Sequence, residues 1–190
     1  PGLLIVGAAP AASATRPSVE ATHFATFGSG LGSGSTIGPG GDLYVTDGNA
    51  GTLLRINRTT GDVSQVAEGL PAQVVGIGGA MDVAFIGSTA YVLVTLVGGD
   101  VVGGPHIGDD VVGIYRLDCD GGFTPIADIG AWSVAHPPTT DYFITTGVQY
   151  SIEVFRGGFL VTDGRHNRVL RVTLNGAITE VVTYGNIVPT

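Results

Sequence analysis

Apolar residues in this chain come in short runs, each closed off by glycine, asparagine or aspartate. Residues 41–66 show the rhythm: GDLYVTDGNAGTLLRINRTTGDVSQV. One run is centred on Tyr44-Val45, Asp47-Gly48-Asn49 interrupts it, and Leu53-Leu54 begins a second run that ends at Arg55-Ile56-Asn57. A glycine turn at Gly61 precedes a third run from Val63. Short runs rich in β-branched and aromatic residues between turn residues are strands joined by tight hairpins, whose turns need φ > 0. No window keeps apolar residues at i, i+3, i+4 and i+7 beyond about two turns, so almost no helix is expected.

The same grammar recurs. Residues 157–181 read GGFLVTDGRHNRVLRVTLNGAITEV. Gly41, Val45, Thr46, Asp47, Gly48, Leu54 and Arg55 match Gly157, Val161, Thr162, Asp163, Gly164, Leu170 and Arg171. After a one-residue gap, Gly61 and Val66 match Gly176 and Val181. A third copy lies between them, with strands at 90–94, 113–118 and 123–129 and a turn at Gly121-Gly122. One more short strand precedes each copy, at 33–38, 81–86 and 150–155. Four antiparallel strands in a unit of about 40–50 residues is the signature of a β-propeller blade. One such sheet cannot bury both faces alone, and stacking blades around an axis buries them.

The expected fold is therefore all-β, with blades at about 33–68, 80–129 and 150–183. Residues 22–27 (THFATF) are expected to be the outer strand of the last blade, supplied from the N-terminus. Residues 187–190 look like the lead-in to another inner strand. A closed ring needs about four blades or more, so the expectation is an open arc of a longer parent, with six blades when complete. A small protein that closes by dimerising is the alternative. Two insertions break the period, 97–110 and 131–147. Long loops on one face of a propeller are where partners usually bind.

Composition narrows the partners. The formal net charge is −8 and there is no lysine among the eight basic residues. Nucleic acid demands clustered cations, and these arginines are scattered. An anionic membrane is disfavoured for the same reason, while a cation or a basic partner is accommodated. Cys119 is the only cysteine, which rules out an internal disulfide and a thiolate cluster, and it is expected to be a small, buried or half-buried apolar residue. Residues 1–14 (PGLLIVGAAPAASA) form an apolar run ending in the small-residue pattern of a signal cleavage site. They are expected to be a signal-peptide remnant, with 15–190 the propeller domain. The protein is then secreted, periplasmic or on the cell surface. No other stretch is long enough to span a bilayer.

The motifs GDLYVTDGNAGTLLRIN and VTDGRHNRVLRVTLNG resemble the NHL-type propeller repeat. Their order, with Gly69-Leu70-Pro71, Gly113-Ile114-Tyr115-Arg116-Leu117-Asp118, Ala127-Asp128-Ile129 and a Trp/Pro insertion between them, is similar to the ScyD/ScyE family. The resemblance covers roughly residues 24–190. It implies an exported propeller whose biochemical activity is unassigned. One departure is Val148-Gln149-Tyr150, where that family tends to have Asn-Pro-Tyr.

Candidate sites follow from the repeat. Asp47 and Asp163 recur at one position, where a short acceptor can tie down the turn through backbone N–H groups. Arg55, Arg116 and Arg171 also recur and are expected to share a packing or loop-pairing role. Asp82 and Glu153 are the acids of the inner strands, placed to line a channel, bind a cation or act as a general base. His106, Asp109 and Asp110 share a glycine-rich loop and are candidate metal ligands. His166 and Asn167 stand where the first copy has Ala50 and Gly51, and such a variable position is open to function. Trp132 and His136 are candidates for a contact surface.

The gluconolactonase and paraoxonase propellers, which this chain resembles in fold, hold a divalent ion with Asn, Asp and Glu at the starts of inner strands. Here those starts carry Ser33, Met81 and Val148, which are poor ligands. No Gly-x-Ser-x-Gly, His-Glu-x-x-His or phosphate-cradling loop appears. The expected function is a binding or scaffold module for a protein or small molecule, without a cofactor. One alternative is a Ca²⁺-dependent lactonase-like hydrolase. Another is a structural accessory protein.

Overall fold

A computed structural model describes residues 20–27, 32–98, 101, 110–139 and 144–185. The signal-like segment 1–14, His106, Asp109 and the lead-in 187–190 lie outside the described residues, as does most of the insertion 97–110. The described strands form three antiparallel sheets of four. The first blade holds β1 (Gly32–Ile37), β2 (Leu43–Asp47), β3 (Thr52–Ile56) and β4 (Val63–Glu68). The second holds β5 (Gly79–Ile86), β6 (Thr89–Thr95), β7 (Gly113–Leu117) and β8 (Phe123–Asp128). The third holds β9 (Gln149–Phe155), β10 (Gly158–Asp163), β11 (Arg168–Thr173) and β12 (Ile178–Thr183). A short helix, α1 (Ile129–Ala135), begins where the sequence suggested the second blade's last strand would end.

Strand order in every blade follows the chain, so each is a meander. The inner strands β1, β5 and β9 lie side by side. Alternation then decides what each face buries. Tyr44 and Leu53 of the first blade pack against Val83, Val92, Val94 and Tyr115 of the second. Tyr91, Leu93 and Ile114 of the second pack against Ile152, Phe159, Val161 and Leu170 of the third. Each seam carries one inter-blade aromatic pair. Tyr44 meets Phe85 with ring centroids 4.6 Å apart. Tyr91 meets Phe159 at 4.9 Å. Fully burying one such apolar side chain is worth about 1.5–3 kcal/mol, so the seams hold the arc together.

The blades also share irregularities that no sequence pattern announces. Each inner strand carries a bulge at the same level, near Ser33, at Met81 and at Tyr150. Each outer strand carries one at Val66, Ile126 and Val181. A bulge puts two residues opposite one and sharpens the local twist, which a wedge-shaped blade needs. The register also places Tyr150, rather than Val148, level with Ser33 and Met81.

Residues 20–27 form no strand, which corrects the expectation for 22–27. Their position is nevertheless that of an outer strand. A Cβ on Gly61 would lie 2.5 Å from the Phe24 carbonyl oxygen, and one on Gly176 would lie 2.4 Å from that of Ile126 in β8. The segment thus meets the first blade as β8 meets the third. Among the described residues, no strand pairs with it in a ladder.

Candidate functional site

A buried polar network fastens α1 to the third blade. Asp47 and Asp163 both end the second strand of their blades, but they face different partners. Asp47 pairs with Thr52 and Asp163 with Arg168. Asp47 does what a turn acceptor should, taking the backbone N–H groups of Asn49 and Ala50 on Oδ1, each at 3.0 Å. Asp163 does more. Its Oδ1 accepts from Val148 N at 3.0 Å and His166 N at 3.2 Å. Its Oδ2 lies 3.1 Å from His166 Nδ1 and 3.4 Å from Arg168 Nε. Burial works to raise the Asp163 pKa, but the hydrogen bond and charge of His166, with the Val148 and His166 N–H groups, outweigh it and hold the carboxyl below its ordinary value.

Arg168 carries the network outward. Its Nη2 donates to Ser133 Oγ at 2.8 Å and lies 2.8 Å from His166 Nδ1. Its Nη1 donates to the His136 carbonyl at 2.8 Å, and its guanidinium lies 4.9 Å from the Trp132 ring centroid. Trp132 in turn stacks on His136, with centroids 4.4 Å apart. His166 Nε2 donates to the Ile144 carbonyl. His166 is fully buried. Trp132 is half-buried, its indole already engaged by Arg168 and His136, while His136 itself is exposed. Sequence reasoning missed Arg168 and Ser133. The available signal was the charged DGRHNR of 163–168 where the first repeat has the neutral-tailed DGNAGT of 47–52.

Topology gathers these groups on one face of the arc. In a four-stranded meander, the β6–β7 connection, the β8–β9 connection and the β10–β11 turn all leave from the same end. The described ends of the two insertions therefore lie on one face, and Gly130 N in α1 donates to the Val112 carbonyl at 2.8 Å. Between them lies a groove of about 270 Å³ lined by Val97, Asp110, Val112, Asp128, Ala131 and Val134 among others. Asp128 caps α1, its Oδ1 accepting from Ala131 N at 2.7 Å. Tyr115 lies behind Val111, its hydroxyl accepting from Val111 N and donating to Val111 O. Burial pushes the Tyr115 pKa up to about 12, against the Val111 hydrogen bond and with help from the Asp110 and Asp128 charges. Asn167, with φ of +50°, sits on the same face, where its carbonyl accepts from Tyr184 N.

Asp82 and Glu153 lie elsewhere. They border a groove of about 310 Å³ along the inner strands, together with Ser35, Thr36 and Ile152. Asp82 spans three blades. Its Oδ1 accepts from Val83 N, its Oδ2 accepts from Ile152 N of β9, and a Cβ on Gly34 of β1 would meet Oδ1 at 2.4 Å. Burial raises the Asp82 pKa above its ordinary value, opposed by those two N–H groups and aided by the Glu153 charge. Among the described residues, no three His, Cys, Asp or Glu side chains gather as metal ligands would.

The recurring arginines share a register, opposite Tyr44, Tyr91 and Leu160, but not a partner. Arg55 pairs with Asp42, Arg116 with Asp118, and Arg171 lies over Phe155. Cys119 is exposed in the β7–β8 turn, which corrects the buried or half-buried expectation: the turn lies beyond the buried start of β7, where the burial pattern has given way to exposed residues. Among the described residues, no helix is long and apolar enough to cross a membrane.

No family model and no curated protein matches the chain. Among solved structures, a catalytically inactive virginiamycin B lyase from Staphylococcus aureus with quinupristin aligns with a TM-score of 0.50 and 17% identity, covering 78% of this chain and 40% of that one. A selenomethionine-substituted virginiamycin B lyase from the same organism gives 0.49 and 16%, with the same coverage. Both are β-propeller proteins. At these identities the likeness concerns fold alone, and this chain is an arc of β-propeller blades. It spans 40% of the length of these lyases.

Proposed function

We propose that the chain is the binding part of an exported β-propeller of the ScyD/ScyE type, and that it engages its partner through the face carrying both long connections. The observation that supports this reading most directly is the convergence of those connections on one groove, beside a helix tied down by the Asp163–Arg168–Ser133 network. A surface held by a buried network is pre-organised, which lowers the entropy cost of binding. The ScyD/ScyE motifs and the signal-like N-terminus support the family and the export.

The test is capture from a cell-envelope extract on the immobilised chain. Val134→Glu, on the exposed flank of α1, should reduce capture at least about ten-fold, a loss typical of an interface hot spot. Leu174→Glu, in the β11–β12 turn at the opposite end of the blade, should leave it unchanged. Equal capture by both variants, each folded by circular dichroism, would sink the reading.

A second reading is a metal-dependent hydrolase working from the inner-strand groove. It is favoured by the placing of Asp82 and Glu153 in the lining of one cavity along the inner strands, since a hard cation takes several oxygens. Its test is a rise in melting temperature with Ca²⁺ that Glu153→Gln abolishes.

A further inference from the structure

We infer that the groove between the β6–β7 connection and α1 receives an arginine or lysine side chain presented by a protein partner. This deepens the loop-face reading and rests on it. Three observations carry it. The floor and flank are aliphatic: Val97 and Val112 are buried beneath it, and Val134 stands 56% exposed beside it. Asp110 and Asp128 belong to the same lining. The volume, about 270 Å³, falls below the range of about 300–1,000 Å³ typical of whole-ligand pockets and suits a single long side chain.

A basic side chain has the matching form. Its methylene stem lies along apolar surface while its charged head reaches a polar partner. A pair of acidic residues in the lining of an aliphatic trough complements that shape and charge, and arginine can engage a carboxylate through two parallel N–H donors. The rest of the chain points the same way. It has 16 acidic residues against 8 basic ones and no lysine, so its field draws cationic partners.

The test uses three acetylated, amidated tripeptides, Gly-Arg-Gly, Gly-norleucine-Gly and Gly-Glu-Gly, titrated into the whole chain. Methyl NMR signals of Val97, Val112 and Val134 and the fluorescence of Trp132, the only tryptophan, are followed. The arginine peptide should give saturable shifts at these three valines with a Kd of about 1 mM, and the glutamate peptide none. Asp128→Ser removes the charge but keeps an N-cap residue on α1, so the helix survives. It should weaken arginine-peptide binding about five-fold, as removal of one partly exposed ion pair does, and so should Asp110→Asn.

Equal binding of the norleucine peptide overturns the inference, as does unchanged affinity in Asp128→Ser or a lack of saturable shifts. Should that happen while Val134→Glu still abolishes partner capture, the loop face stands and only the basic side chain falls. Should Val134→Glu leave capture intact, the broader reading fails first.

Discussion

Replacing Asp163 by Asn removes a negative charge from a pocket that excludes water and leaves Arg168 behind in it. Both side chains are fully buried. Taking one partner from a buried ion pair costs about 3–5 kcal/mol, because the remaining charge has neither its mate nor water. Arg168 keeps Ser133 Oγ and the His136 carbonyl as acceptors and has Glu180 at 3.9 Å, which puts the expectation at the lower end, about 3 kcal/mol. With a slope of about 2 kcal/mol per molar urea, the unfolding midpoint should fall by about 1.5 M. Asp47→Asn supplies the comparison. It occupies the same repeat position, and the amide oxygen can still accept from Asn49 and Ala50, so it should cost under about 0.5 kcal/mol. The difference should also depend on pH. Asp163 is held below its ordinary pKa in the fold, so its contribution is full above the unfolded value of about 3.9 and fades as pH falls through the lower, folded one. The gap between wild type and Asp163→Asn should therefore narrow only below about pH 4. Equal losses at the two positions, or a loss under about 1 kcal/mol for Asp163→Asn at pH 7, would refute the assignment of the network as the anchor of α1.

Gly34→Ala should destabilise by about 1–3 kcal/mol, because the new Cβ meets the Met81 carbonyl at 2.5 Å and the Asp82 backbone at 2.6 Å; an unchanged melting temperature would contradict the packing of the inner strands. Asp82 has the opposite pH sign to Asp163: its pKa is raised, so the stability linked to its protonation is present below the unfolded value and lost as pH rises through the higher, folded one. Wild type should therefore lose stability relative to Asp82→Asn as pH rises from about 4, which paired urea titrations can read. Tyr115→Phe should abolish an absorbance step near 12 in an alkaline titration and cost about 1 kcal/mol through its bonds to Val111; persistence of that step would assign it to another phenol.

Much of the fold was legible in the sequence because blades repeat and strands alternate. The three VTDG- or YVLV-centred strands and their glycine turns locate every hairpin, since period-2 patterning and positive-φ turns are local requirements. Asp47 was legible for the same reason, as its bonds reach only two and three residues along the chain. Cys119 was misjudged because burial is not local. Cys119 follows a strand yet sits in an exposed turn, whereas His166 is fully buried although it too stands in a turn.

The sequence by itself determined the four-stranded unit, its recurrence, the acidic surface charge and the residues of the turns. Each of these depends on neighbours a few positions apart. Only the tertiary structure decided that Asp163 is an ion-pair centre while Asp47 is a turn acceptor, that Asp82 spans three blades, and that both long connections border one groove. Those outcomes join residues such as Ser133 and Arg168, or Asp82 and Ile152, that are 35 and 70 positions apart. Contacts at such separations depend on how whole sheets stack and on bulges that set their twist, and no local pattern of apolar and polar positions encodes them.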